Sequence, residues 1–236
     1  IAPLPYVIIL PGQAQNIFDK LITIKDQKSY PANGRIDLMS IRVTNPDAWI
    51  FGPELVYSWI SGNRAVYPKS AIYPPGTSTE EESKQAKVDM VKSQDTAIVA
   101  AVNYLQSHPE IMAETKSQGI DRASQLDTKK VVFKTGETGG PSGGLVFSIG
   151  LVELLTEKDL LQKRHIAGTG TITARGIVGP IGGINEKIMS AQKIGATVFF
   201  APVDNADEIS NVPDGIKVVT VATLAQAINY LARSAG

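Results

Sequence analysis

The chain has 236 residues, 23 lysines and arginines against 23 aspartates and glutamates, and 43% hydrophobic side chains, a balance that suits one large folded domain or two small ones and excludes a disordered polypeptide. Zero net charge without a dense basic run argues against nucleic acid as a partner, and no apolar stretch approaches the ~20 residues of a membrane-spanning helix. The absence of cysteine excludes disulfides, thiolate nucleophiles and Cys-based metal sites, and His108 and His165 stand far apart outside any HExxH pattern, so neither a metal nor a cofactor is expected.

The chain begins at Ile1 rather than Met, which gives the expectation of a removed upstream segment, a membrane anchor or signal peptide among the options. The first 75 residues are rich in Pro, Gly and aromatics. Short alternating runs at Tyr6 to Leu10 and Ile36 to Val43 read as strands. Trp49, Phe51, Tyr57, Trp59 and Tyr67 cluster here and are assigned to packing beneath loops. After Tyr73-Pro74-Pro75-Gly76, Ser78 and Glu81 form a capping box. Met90, Val91, Ala97, Ile98, Ala101, Val102 and Leu105 then recur at helical spacing until Pro109. The polar stretch from Glu110 to Lys129 predicts a short helix or a loop.

The second half alternates strand and helix. Val131 to Phe133 reads as a strand, Gly136 to Gly144 as a glycine-rich turn, and Leu145 to Leu155 as a helix buried on most sides. Ala167 to Val178 reads as a hairpin, Asn185 to Ile194 as a helix capped by Gly195, and Thr197 to Ala201 and Ile216 to Val221 as strands around an acidic loop. A last helix covers about Thr223 to Leu231. The expected fold is α/β, with a mixed sheet flanked by helices. The expected organisation is an N-terminal strand- and loop-rich extension over 1–75 packed on a domain at 76–236.

Two glycine-rich loops invite comparison with phosphate sites. Thr135 to Gly144 lacks the GxxxxGK[ST] order, and Gly168-Thr169-Gly170 is followed by Thr173 where a third glycine belongs, so no nucleotide is expected. In Gly139-Gly140-Pro141-Ser142-Gly143-Gly144, Ser142 sits where a loop enters a buried helix. It suits a helix N-cap and it also suits a nucleophile, with Gly140, Pro141 and Gly143 forming a loop that admits a carbonyl near backbone amides. A serine nucleophile needs a base, and His165 and a desolvated lysine both remain open. Helical projection of Ile184 to Ile194 puts Lys187 in the apolar arc with Ile184, Ile188, Ala191 and Ile194, and Lys193 opposite. Lys187 is therefore either a buried base or a snorkelling side chain at the arc's edge.

The segments GGPSGG, GTGTITARGIVGPIGGINEKI and VFFAPVDNADEI resemble, in order and spacing, the proteolytic domain of Lon-type (S16) Ser-Lys proteases. The resemblance runs from Val131 to Leu231 and extends back through the helix at Met90 to Leu105. It implies that Ser142 is the nucleophile of a GPSAG-like signature, Lys187 the general base of a GGxxEK-like signature 45 residues later, and Thr169 the residue that orients the lysine. PYVIILPG, the SIRVTN strand and AIYPPGTSTEEE are similar to the extracytoplasmic, membrane-anchored bacterial Lon-like proteins, which implies that location, with a cytoplasmic alternative. The about 25 residues between Leu105 and Val131 are too few for a PDZ insert, and no Walker motif or ATPase module is found. Three positions depart from the family pattern: Gly139 replaces an acidic residue, Gly143 an alanine, and Thr171 a glutamate. Glu137, Asp204, Asp207 and Glu208 fit either substrate recognition or solvated loops.

The implied function is an ATP-independent serine endopeptidase that cleaves unfolded or flexible polypeptide through an acyl-enzyme. The alternatives are a catalytically silent scaffold or peptide-binding domain of the same fold, and an amidase for small substrates. The resemblance also suggests a homo-oligomer, with a hexamer as one form.

Overall fold

A computed structural model describes residues 4–25, 29–109, 111, 128–136 and 139–233. The stretch from Glu110 to Lys129, expected as a short helix or loop, lies almost wholly outside the described residues. At its end, a single 3-10 turn spans Thr128–Lys130.

Ten strands and six α-helices form among the described residues. Strands β1 (Tyr6–Asn16), β2 (Ile22–Ile24) and β3 (Arg35–Val43) come first, followed by helix α1 (Gly52–Ile60), strand β4 (Ala65–Pro68), helix α2 (Lys69–Ile72) and the long helix α3 (Thr79–Ser107). Next come β5 (Val131–Phe133), helix α4 (Gly144–Leu155), β6 (His165–Gly168), β7 (Thr171–Ile172) and β8 (Val178–Gly179). The chain ends with helix α5 (Ile184–Lys193), β9 (Val198–Pro202), β10 (Lys217–Val221) and helix α6 (Leu224–Arg233).

The main sheet has the strand order β10-β9-β6-β3-β1-β4. Strands β10, β9, β6 and β3 are mutually parallel, and β1 runs antiparallel to β3 and β4. Residues 1–75, expected as an extension packed on the following domain, supply three strands of this one sheet through β1, β3 and β4.

Side-chain alternation divides the core between the two faces of the sheet. Ile36 and Leu38 of β3, Ile166 of β6 and Phe200 of β9 meet α3, α4 and α6 on one face. Met39, Ala167, Phe199 and Ala201, their neighbours in sequence, meet Ile184, Ile188 and Ala191 of α5 on the other. Helix α4 lies within the first layer and is buried along nearly its whole length, as its unbroken apolar run requires. Helix α3 starts at the capping box: Ser78 Oγ accepts from the Glu81 amide, and Glu81 accepts from the Ser78 amide at 3.0 Å. It ends at Ser107, two residues before Pro109.

Three expectations are corrected. The run at Tyr6 to Leu10 continues to Asn16, because a bulge between Pro11 and Ala14 takes up the proline and glycine, and Ser40 Oγ bonds both the amide and the carbonyl of Gln13. The hairpin expected over Ala167 to Val178 divides. Strand β6 enters the main sheet between β3 and β9, and only β7 and β8 pair as a small antiparallel ladder. The aromatic cluster is not core. Trp49, Phe51, Tyr57, Trp59 and Tyr67 are all exposed, and residues 52–60, expected as strand or loop, form a helix whose one buried residue is Ser58.

A buried carboxylate pins the junction between the first third and the rest. Asp37 on β3 is fully buried and accepts from Arg35 Nε and Nη2 at 2.7 and 2.9 Å; its Oδ2 lies 2.5 Å from Nε2 of His165 on β6. Asp37→Ala removes all three contacts. We predict a loss of about 1–3 kcal/mol in urea unfolding, against little change for an Ala substitution at exposed Lys193.

Candidate active site

Ser142, Lys187 and Thr169 meet at the carboxyl end of β6. Ser142 lies in a 3-10 turn, Pro141–Gly143, that leads straight into α4. Helix α3 holds this turn from outside: Ser93 Oγ donates to the Pro141 carbonyl at 2.9 Å, and the Gly140 amide donates to the Ala86 carbonyl at 2.8 Å. From inside, the Ser142 carbonyl accepts from the Gly170 amide at 2.8 Å and from Thr169 Oγ1 at 3.1 Å. Thr169 is itself fixed by its amide, which donates to Phe200 of β9 at 3.0 Å.

Lys187 comes from the first turns of α5. That helix opens at Gly183, which has φ 68°; a Cβ there would also lie 2.9 Å from Ile41. Both facts favour glycine at this position. The preceding loop is clamped by Asn205, whose side chain accepts from the Ile181 amide at 3.0 Å and donates to its carbonyl at 2.9 Å. The sequence reasoning puts Lys187 on the apolar arc of α5, and the structure buries it there beside Ile184, Ile188 and Ala191, 2% exposed. The snorkelling alternative does not hold. Lys193 is exposed on the other side.

The lysine Nζ lies 3.1 Å from Ser142 Oγ and 3.1 Å from Thr169 Oγ1. Burial lowers its pKa from 10.5 to about 7, against a smaller opposing pull from the neighbouring Glu186 carboxylate. Glu186, itself buried, is shifted upward by the same loss of solvation. The hydrogen bonds also give Lys187 a direction. Because Thr169 donates its hydroxyl proton to the Ser142 carbonyl, its lone pairs face Lys187 and take one of the amine's hydrogens. The amine lone pair is then free to face the Ser142 hydroxyl.

Ser142 and Lys187 line a cleft of about 900 Å³. Its walls include Met90 of α3, Met39 of β3, Ile181 and Thr171, with Gln13 and Gln15 from the bulged end of β1. Among the described lining residues, Lys187 and Arg42 carry the only ionisable charges. Of the loop residues expected to face an oxyanion, Gly140 already spends its amide on Ala86, and Pro141 has none to give.

His165, the other base considered, is turned towards Asp37. It opens β6, whereas Thr169 follows the end of that strand, about 13 Å away at a strand's usual rise. Asp204, Asp207 and Glu208 lie exposed in a 3-10 segment, Val203–Glu208, and none lines the cleft. Glu137 lies outside the described residues. Two of the departures from the family pattern have steric causes. A Cβ on Gly139 would sit 2.8 Å from Ala86 Cβ, and one on Gly143 would sit 2.7 Å from the Phe147 ring and 3.0 Å from Leu38. The supporting roles of Ser93 and Asn205 escape the sequence reasoning. The one signal for Ser93 is its place as a polar residue in the stripe of Met90 and Ala97 on α3.

A family model for the Lon protease (S16) C-terminal proteolytic domain matches residues 82–235. The chain belongs to this family. Lon protease of Brevibacillus choshinensis is 41% identical over 78 residues, 33% of this chain and 10% of the relative. Lon protease 1 of Bacillus subtilis (strain 168) is 40% identical over 78 residues, again 33% and 10%. Lon protease 2 of Herpetosiphon aurantiacus is 34% identical over 108 residues, 44% of this chain and 13% of the relative. The matched stretch thus spans about a tenth of the length of these curated Lon proteases.

The depressed pKa of Lys187 has a consequence for stability. The unfolded chain carries this lysine protonated up to about pH 10.5 and the folded chain only up to about 7, so stability rises with pH between those values. Lys187→Met removes the penalty. We expect the variant to be more stable than wild type by roughly 1–4 kcal/mol near neutral pH, with the gap closing as pH approaches 10 in guanidinium titrations.

Proposed function

We propose that the chain is a serine endopeptidase that works through a Ser142–Lys187 dyad, without ATP, on unfolded or flexible polypeptide. The observation that carries this reading is the approach of a buried lysine Nζ to within 3.1 Å of the Ser142 hydroxyl, with Thr169 on its other side. A lysine with pKa near 7 is half neutral at physiological pH, which is the condition for accepting a proton from serine.

In the proposed reaction Lys187 Nζ takes the hydroxyl proton as Ser142 Oγ bonds to the scissile carbonyl carbon. The tetrahedral oxyanion is held by the amides of Ser142 and Gly143, at the positively polarised entrance of α4. Lysinium then passes its proton to the departing amine as the C–N bond breaks. Water attacks the resulting ester and gives a proton to Lys187; as the ester C–O bond breaks, lysinium returns that proton to Ser142 Oγ, and the acid product leaves and loses its own proton to solvent. Thr169 acts as a positioning residue that directs the lone pair of the amine towards Ser142. Gly140 and Pro141 shape the approach to it.

Polypeptide is the proposed substrate because the cleft, about 900 Å³, is lined by residues of β1 and β3 as well as by the serine loop. Nucleotide-free action is proposed for these 236 residues, which hold no Walker motif. The reading also includes a homo-oligomer and the extracytoplasmic face of a membrane, on the likeness of the first third to anchored Lon-like proteins. No helix among the described residues is itself long and apolar enough to cross a membrane.

Casein hydrolysis without ATP tests the reading. Ser142→Ala and Lys187→Ala should each lose at least about 10³-fold in kcat/KM. The wild-type rate should rise tenfold per pH unit below about 7 and level off above, because the deprotonated lysine is the active form. Undiminished cleavage by either variant contradicts the proposal.

A further inference from the structure

Helix α1 is turned inside out. At 100° per residue, Val56, Ile60, Pro53 and Tyr57 fall on one side with Trp59 at its margin, and Ser58 falls opposite. The side packed against the protein is the one with Ser58, fully buried and accepting from Arg64 Nη1 at 3.3 Å. The side in solvent is apolar: Trp59 and Ile60 are each 78% exposed, and Val56 and Tyr57 each 56%. Trp49, 68% exposed, extends this surface just before the helix, with its ring edge-to-face on Phe51 at 6.4 Å between centroids.

At the ~150–250 Å² that an aromatic side chain offers, Trp49, Phe51, Tyr57 and Trp59 alone leave about 400–600 Å² of apolar surface in water. Val56 and Ile60 add to this. The total exceeds the usual largest patch on a monomer, ~300–600 Å², and comes close to the ~800 Å² per partner of a stable protein interface. Trp, Tyr and Arg are also the residue types that anchor such interfaces.

We propose that the outward face of α1, with Trp49 and Phe51, is the contact surface for a second copy of this chain, packed helix against helix about a two-fold axis. The area argues for this occupant, since a two-fold contact uses the same patch twice and needs no further surface. The charges around it argue the same way. Asp47 and Lys69 lie beside Trp49, Arg64 lies over the Tyr57 ring at 4.8 Å, and Glu54 is exposed on α1 itself, so the rim carries both signs and can complement itself. An anionic bilayer is recognised by an excess of Lys and Arg, which this rim lacks. Helix α1 contributes to the contact through its side chains. The neighbouring sheet edge, β4, is only four residues long, ends in Pro68 and passes directly into α2, which blunts strand-to-strand addition. The patch lies outside residues 82–235 and outside the cleft lining, so the proposal stands independently of the peptidase reading.

Sedimentation velocity over a range of micromolar concentrations tests it, on wild type, Trp59→Lys/Ile60→Lys and, as a second disruption of the same face, Val56→Glu. The expected result is a wild-type mass that rises with concentration towards twice the monomer's and stays at the monomer's in both variants, with the far-ultraviolet circular dichroism spectrum unchanged. Tryptophan emission of the wild type should shift to the blue over the same range. A wild type that stays monomeric, or variants that assemble as wild type does, would overturn the proposal. So would a wild-type monomer that co-sediments with phosphatidylcholine vesicles while the variants do not, because the patch would then belong to a bilayer.

Discussion

The structure depends on one costly placement, an amine buried in an apolar helix–sheet interface. Lys187 sits on the core face of α5 among Ile184, Ile188 and Ala191, where its charged form is disfavoured by lost hydration and by the nearby helix N-terminus. Two hydroxyls within 3.1 Å satisfy the neutral amine. They do not replace the hydration of an ammonium ion. The fold therefore holds the lysine in the form that can accept a proton, and the energy for this comes from the packing of both sheet faces.

That placement requires several elements to be fixed relative to one another. Helix α3 fixes the serine turn through Ser93 and Ala86, the segment after β6 fixes it through Thr169 and Gly170, and Asn205 fixes the loop that enters α5. Strands β1 and β3, from the first third of the chain, supply one wall of the cleft, and β3 pairs with β6 in the main sheet. The Asp37 contacts to Arg35 and His165 close this junction at the far end of the same strands. The first third is thus part of the frame that sets the distance between serine and lysine.

Much of this was legible in the sequence because it was local. The Ser78 and Glu81 pair marks the start of α3 through bonds made within one turn, and helical phase alone puts Lys187 inward and Lys193 outward. Ser142 and Thr169 are recognisable from their motifs, but their meeting is not, since it depends on the parallel pairing of β6 between β3 and β9. The same non-local pairing is why Ala167 to Val178 suggested a simple hairpin. The aromatics of the first third illustrate the opposite error. Composition makes Trp49, Tyr57 and Trp59 look like core, yet the apolar side of α1, with Val56, Tyr57 and Ile60, turns outward and Ser58 turns inward, the reverse of the usual amphipathic arrangement. Ser58, buried in place of its neighbours, accepts from Arg64 Nη1.

The central claim is that Lys187 is neutral near pH 7 in the folded protein. It is tested most directly by selective labelling of lysine side chains and NMR titration of the Lys187 Cε and Nζ resonances, assigned by comparison with Lys187→Met. The account predicts a single transition near pH 7, well below the ~10.4 of a free lysine. A Lys187 transition at 10 or above would show an ammonium ion beside Ser142 at neutral pH and would contradict the account.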